Sequence, residues 1–267
     1  EPQHKKTGKV MIEMLKSMKL PYKIIGNSDS ASKIKQITKN LINKSKKDSS
    51  PVVLIVEKDT FENYNVKSIK ESKYSLVREE ALKVIVNHVS SKDIIVSTTG
   101  YTSRELYEYR QSKNQDHSRD FLTVGGMGHA NQIALGIALH NKNRTIYCFD
   151  GDGAVIMHMG ALSTNGFIKP HNLKHIVFNN GSHESVGGQP TTAHNFKMKN
   201  VAKNMGYDLT LTVSSRKQLE AAIPDIKKFK GSCFLEVMIK NGTRSELSRP
   251  KSSPSQNKML LMKYLKK

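Results

Sequence analysis

Between residues 77 and 240, short apolar runs rich in β-branched residues alternate with longer amphipathic segments, an order that few folds accept. The candidate strands are Ile94–Ser97, Phe121–Val124, Thr145–Phe149, His175–Asn179, Leu209–Val213 and Cys233–Ile239. The candidate helices fall near 77–90, 102–112, 128–141, 154–168, 197–206 and 215–229. Such alternation predicts an α/β fold, a doubly wound parallel sheet with helices on both faces. Ligands of such sheets sit at the carboxyl ends of the strands. Ahead of this region, strands Tyr22–Ile25 and Val52–Val56 and helices near 7–18 and 30–45 supply only part of a second α/β domain, 1–60. Polar residues 61–76 read as a linker. Residues 241–267 read as a surface arm, rich in Ser, Pro and Lys, followed by a helix near 257–266.

Composition narrows the partners. Lys and Arg number 43 against 23 Asp and Glu, a formal charge of +20. A field of that sign favours anions. The lysines are scattered, however, apart from short clusters such as Lys44–Lys47 and Lys227–Lys230. Trp is absent and aromatic residues are 6% of the chain, so stacking platforms for bases are poorly supplied. No zinc-ligand spacing or RNA-recognition signature is present. A solvated lysine-rich surface is expected rather than a nucleic-acid interface. No apolar run approaches the roughly 20 residues of a membrane span, and no signal peptide is visible. Cys148 and Cys233 each lie in an apolar run and read as buried free thiols of a reducing compartment, hence a cytoplasmic expectation. The chain opens at Glu1 and its first Met is Met11, so a native start further upstream, with any organelle signal, is also expected.

One pattern carries chemistry. Gly151-Asp152-Gly153 ends one candidate strand, and Asn180, 28 residues after Asp152, ends the next. A right-handed crossover through the intervening helix brings both strand ends to one edge of the sheet. A carboxylate and an amide oxygen then converge on one cation. Magnesium prefers such oxygen ligands and completes its octahedron with phosphate and water. The glycines let backbone approach a diphosphate, and the helix starting near Ala154 would aim its N–H groups at the anion. Gly-Asp-Gly alone is also an ordinary tight turn. The joint strand–helix–strand pattern is the specific signal.

That pattern resembles the signature of thiamine-diphosphate enzymes. By the resemblance, magnesium is held by Asp152, Asn180 and the backbone carbonyl of Ser182. The turn at Thr99-Gly100 touches the diphosphate. Met127 wedges the cofactor into a bent shape, and the carbonyl of Gly125 accepts from its 4′-amino group. Met127 taken alone would pass for an ordinary core residue. Longer stretches resemble the phosphonopyruvate decarboxylases: SLVREEALKVIV (75–86), IVSTTGYTSRELYEYR (95–110), DFLTVGGMGHANQIALGIAL (120–139), FDGDGAVIMHMGALSTNGF (149–167), NNGSHESVGGQPT (179–191) and NGTRSELSRPKSSPSQNK (241–258). Gly126 stands where those relatives usually carry Ser, another small residue. The opening 1–16 resembles the late part of their pyrimidine-binding domain.

The resemblance implies thiamine diphosphate and Mg2+ as cofactors, and magnesium-dependent decarboxylation of 3-phosphonopyruvate to phosphonoacetaldehyde and CO2, a step of phosphonate biosynthesis. Sulfopyruvate or another 2-oxo acid is the alternative substrate, and a truncated, non-catalytic relative the alternative kind of protein. It also implies a homo-oligomer with the active site between subunits. His183 and Glu184 follow the metal motif and are the first candidates for moving protons, with His129 the second. Arg244 and Arg249 of the arm are candidates for reading the substrate's doubly charged phosphonate through bidentate contacts. A solvated arm, or one whose arginines pair with surface carboxylates, is the plainer expectation. The glutamate that activates the cofactor in relatives matches none of Glu1, Glu13, Glu57 or Glu62. The chain by itself is therefore expected to turn over negligibly.

Overall fold

The computed structural model describes residues 2–62 and 72–266, which fall into two compact units, one up to Lys70 and one from Glu71. The expected linker at 61–76 lies largely outside the described residues.

The first unit is small. Its elements are α1 (Pro2–Ser17), β1 (Tyr22–Ile25), α2 (Ala31–Asp48) and β2 (Val53–Val56). The strands pair in parallel, Tyr22 opposite Val53 and Ile25 opposite Val56. Ser30 caps α2 by accepting from the N–H of Lys33 at 3.3 Å. Among its described residues few large side chains are buried: Leu15, Ile25 and Leu41 face inward, while Ile24, Ile42 and Val56 stay exposed.

The second unit holds α3 (Arg78–His88), β3 (Ile94–Ser97), α4 (Tyr101–Ser112), β4 (Asp120–Leu122), α5 (Ala130–His140), β5 (Ile146–Gly151), α6 (Asp152–Met157), α7 (Ala161–Ile168) and β6 (Leu173–Asn179). There follow a two-residue hairpin of β7 (Ser182–His183) and β8 (Gln189–Pro190), then α8 (Met198–Asn204), β9 (Leu209–Val213), α9 (Arg216–Lys228), β10 (Cys233–Met238) and α10 (Pro254–Leu265). Six strands make one parallel sheet in the order β4-β3-β5-β6-β10-β9. The chain leaves β3 for β4 on one side and then returns to β5 on the other. That reversal is the topological switch point where α/β sheets bind ligands.

Strands β3, β6 and β10 are buried at every position, as expected of a parallel sheet covered on both faces. Side chains still alternate. Tyr147 and Phe149 of β5 join the core beneath α3, α4 and α9, whereas Ile146 and Cys148 point to the core of α5 and α10. A third cluster, with Val155, Leu162, Val177, Met198, Tyr207 and Phe234, closes the far end of that second face.

Three expectations need correction. The helix expected over 154–168 begins at Asp152 and is two helices, interrupted at His158–Gly160; His158 leaves helical geometry at φ −128, ψ 46, and α7 restarts after Gly160. The strand expected at Phe121–Val124 is shorter and earlier, Asp120–Leu122. The helix expected near 257–266 in the arm starts earlier, at Pro254, behind a Ser253–Gln256 capping box, and the arm falls within the second unit. Among the described residues no helix is long and apolar enough to cross a membrane.

Candidate cofactor and metal site

The carboxyl ends of β3, β5 and β6 border one cavity. Strand β3 leads into it through Thr98, Thr99 and the first turn of α4, from which Tyr101 and Thr102 line the wall. The N–H groups and positive end of a twelve-residue helix thus open toward the cavity. Gly100, at φ 96, makes that sharp entry. A Cβ there would strain the backbone and lie 2.8 Å from the Ser185 hydroxyl on the facing loop. Gly125, at φ 70, is joined to the same turn by its N–H, which donates to Thr99 Oγ1 at 3.2 Å. Met127 reaches the cavity wall, whereas Gly100 and Gly125 shape its rim without lining it.

The floor comes from β5 and β6. Gly151, Asp152, Gly153 and Ala154 follow one strand, Asn180 and Ser182 the next, and all six line the cavity. Asp152 is 2% exposed. Burial pushes its carboxyl above the ordinary aspartate value, while the Thr191 hydroxyl and the Asn180 N–H donate to it and oppose the rise. A divalent cation would relieve the same burial penalty, so this acid suits a metal. Asn180 Oδ1 accepts from the N–H of Ser182 at 3.1 Å and, as a carbonyl oxygen, keeps a second lone pair.

A buried polar cluster stands behind the turn. The Asn165 amide donates to the Tyr207 hydroxyl at 2.8 Å, which lies 3.1 Å from His175 Nδ1. His175 Nε2 is 3.4 Å from Asp150 Oδ2, and Asp150 Oδ1 accepts from the N–H of Gly151 at 3.0 Å. His175 Nε2 and Asp150 Oδ2 are both buried and make no hydrogen bond among the described residues. Asp150 itself holds the Gly151 N–H, just before Asp152.

The proton-moving candidates separate. His183 lines the cavity and packs over Gly153. Glu184 also lines it, but its carboxylate is committed: Arg78 Nη1 donates to Oε2 at 2.7 Å, and the Gly242 N–H donates to Oε1. Arg78 is itself buried and grips Glu105 with two bonds of 2.9 and 3.0 Å. Burial pushes the Glu105 carboxyl up, with Arg78 pulling against it. His129 is exposed, its ring tilted against that of His158 with centroids 4.5 Å apart, and it does not line the cavity. Arg244 pairs with Glu79 at 2.9 Å and with Glu108, on the outer sides of α3 and α4. Arg249 is exposed; neither arginine lines the cavity. Sequence reasoning passed over Arg78, Tyr101 and Phe178 as wall residues. Each sits inside an element whose periodicity marks it as core or helix surface.

Residues 98–237 match the model of the family described as thiamine pyrophosphate enzyme, C-terminal TPP binding domain. The chain is 36% identical to a phosphonopyruvate decarboxylase of Streptomyces viridochromogenes over 67% of this chain and 44% of that protein. It is 37% identical to the sulfopyruvate decarboxylase subunit beta of Methanocaldococcus jannaschii over 58% of this chain and 76% of that subunit. The chain thus spans less than half the length of the phosphonopyruvate decarboxylases it matches. Among solved structures, benzoylformate decarboxylase from Polynucleobacter necessarius superposes with a TM-score of 0.54 at 16% identity, covering 84% of this chain and 45% of that one. At that identity the likeness concerns the fold.

Proposed function

This chain belongs to the thiamine pyrophosphate enzymes through their C-terminal TPP binding domain, and on that premise we propose that it binds the cofactor's diphosphate through Mg2+ and serves the decarboxylation of a small anionic 2-oxo acid. The observation that carries the proposal is the convergence of Asp152 and Asn180, from the ends of neighbouring strands β5 and β6, on a cavity whose opposite wall is the Thr98–Thr102 turn. Asp152, Asn180 and the Ser182 carbonyl would hold the metal. Thr99, Gly100 and the start of α4 would take the diphosphate, with Gly151, Gly153 and Ala154 allowing close approach. Met127 would support the cofactor's bend, beside a Gly125 carbonyl available to its aminopyrimidine. When bound, thiamine diphosphate supplies the nucleophilic carbon and the electron sink that loss of CO2 from a 2-oxo acid requires. His183, on the wall above Gly153, is placed to hold and deliver a proton there.

The proposed substrate is 3-phosphonopyruvate, giving phosphonoacetaldehyde, in keeping with the relatives of that name. Sulfopyruvate is the second reading, favoured by the larger share of the beta subunit that this chain covers. Under either reading the chain would act in an oligomer, with a further domain or subunit completing the site.

Calorimetric titration with Mg2+ and thiamine diphosphate tests the metal site. Asp152→Ala is expected to abolish magnesium-dependent binding, since it removes the charged ligand, and Asn180→Ala to weaken it less, since water replaces a neutral oxygen. Unchanged binding by Asp152→Ala would overturn the assignment. Competing phosphonopyruvate, sulfopyruvate and pyruvate in the complete assembly settles the substrate.

A further inference from the structure

Glu184 stands where a proton donor was expected, yet its surroundings suit a different task. Its Oε2 accepts from Asn180 Nδ2 at 3.3 Å as well as from Arg78 Nη1 at 2.7 Å. Its Oε1 accepts from the backbone N–H of Gly242. All three neighbours donate, and Arg78, 6% exposed, supplies the compensating charge. An ionised carboxylate can only accept.

The Asn180 side chain is a carboxamide of nearly symmetric shape with a donor at one end and an acceptor at the other. Its two neighbours are unambiguous. The Glu184 carboxylate demands the NH2 end at 3.3 Å, and the Ser182 N–H demands the oxygen end at 3.1 Å. A reversed amide would set oxygen against carboxylate and NH2 against N–H, losing two hydrogen bonds and adding two repulsions.

We propose that Glu184 is a positioning residue for the metal: it locks the Asn180 amide with its oxygen available as a ligand. Arg78 fixes Glu184 from within the core, and the Gly242 N–H fixes it from the C-terminal arm. Arg78 is braced in turn by Glu105, which also accepts from Thr243 Oγ1 at 3.3 Å. Residues far apart in sequence thus set the orientation of one amide. The inference rests on the proposed metal site, and its test separates the two.

The measurement is magnesium affinity at saturating thiamine diphosphate, read by calorimetry, with thermal unfolding of each variant in the absence of metal as the folding control. Glu184→Ala is expected to lower magnesium affinity about tenfold, the worth of one hydrogen bond to a charged group. Glu184→Gln, which can still present an oxygen to Asn180 and Arg78, is expected to stay within about threefold of the parent. Asn180→Asp sets two carboxylates together and is expected to bind magnesium worse than the parent, although aspartate is itself a good ligand. Loss of binding in Asp152→Ala together with parental affinity in Glu184→Ala would overturn the positioning role while leaving the metal site standing. Equal losses in Glu184→Ala and Glu184→Gln would also overturn it. Parental affinity in Asp152→Ala, or no magnesium-dependent binding by the parent chain, would overturn the site itself.

Discussion

The imidazole of His183 fills the space where a side chain at position 153 would begin. A Cβ built on Gly153 would lie 2.5 Å from both Cε1 and Nδ1 of that ring and 3.3 Å from Thr191 Cγ2. Gly153→Ala is therefore expected to push the His183 ring away from position 153 while the sheet stays folded, because a ring on a flexible arm moves more easily than backbone. Cofactor affinity should fall by about ten- to a hundredfold, the range of 1–3 kcal/mol for an overpacked site. Parallel titration and thermal unfolding check it; parental cofactor affinity would contradict it.

Asn257 of α10 closes the edge of the six-stranded sheet. Its Oδ1 accepts from the Leu122 N–H at 2.9 Å, and its Nδ2 donates to the Asp120 carbonyl at 2.8 Å, so one amide stands in for a neighbouring strand. Replacement by Ala leaves both β4 groups buried and unmet. The expected cost is about 1–3 kcal/mol in urea unfolding, with hydrogen exchange fastest at Leu122.

Arg110 and Asp120 form a fully buried pair, with bonds of 2.8 and 3.1 Å between guanidinium and carboxylate. Asp120→Ala strands the cation and is expected to cost about 3–5 kcal/mol, whereas Arg110→Met with Asp120→Leu should recover most of that. Denaturant melts of the three proteins decide it; a double variant no better than the single one would count against the argument.

Asp208 fastens the start of β9 to the start of β10, accepting from the N–H and hydroxyl of Ser232 at 2.9 and 2.8 Å and pairing with Lys169 at 3.3 Å. Partial burial works against ionisation, but these donors outweigh it and hold the carboxyl below the usual aspartate value. A depressed folded value means stability that is present above the unfolded value, about 3.9, and lost as pH falls through the folded one. Asp208→Asn should cost about 1–2 kcal/mol at neutral pH and nothing once both proteins are below that window. A difference that persists at acid pH would sink the linkage.

How far the sequence could lead depended on the distance over which a residue acts. Strand β6 and helix α4 were legible because burial and periodicity are local. Asp152 and Asn180 were legible as a pair because one crossover sets their spacing. The split at His158–Gly160 was not, since the apolar pattern runs unbroken across it. Arg78 looked like a first-turn residue of the helix expected near 77–90; its partner Glu184 lies 106 positions on. Pairing of Arg244 with surface carboxylates was the plainer expectation, but nothing local announces Glu79 and Glu108 as those partners.

The two thiols of the sheet have a practical use. Cys148 and Cys233 are buried, and burial pushes both thiols up, so the folded chain offers almost no thiolate to an electrophile. They sit on opposite faces, Cys148 in the core of α5 and α10 and Cys233 in that of α3, α4 and α9. A thiol reagent therefore reports when each layer lifts from the sheet. Matching modification rates would mean that the layers part together, and unequal rates would name the one that goes first.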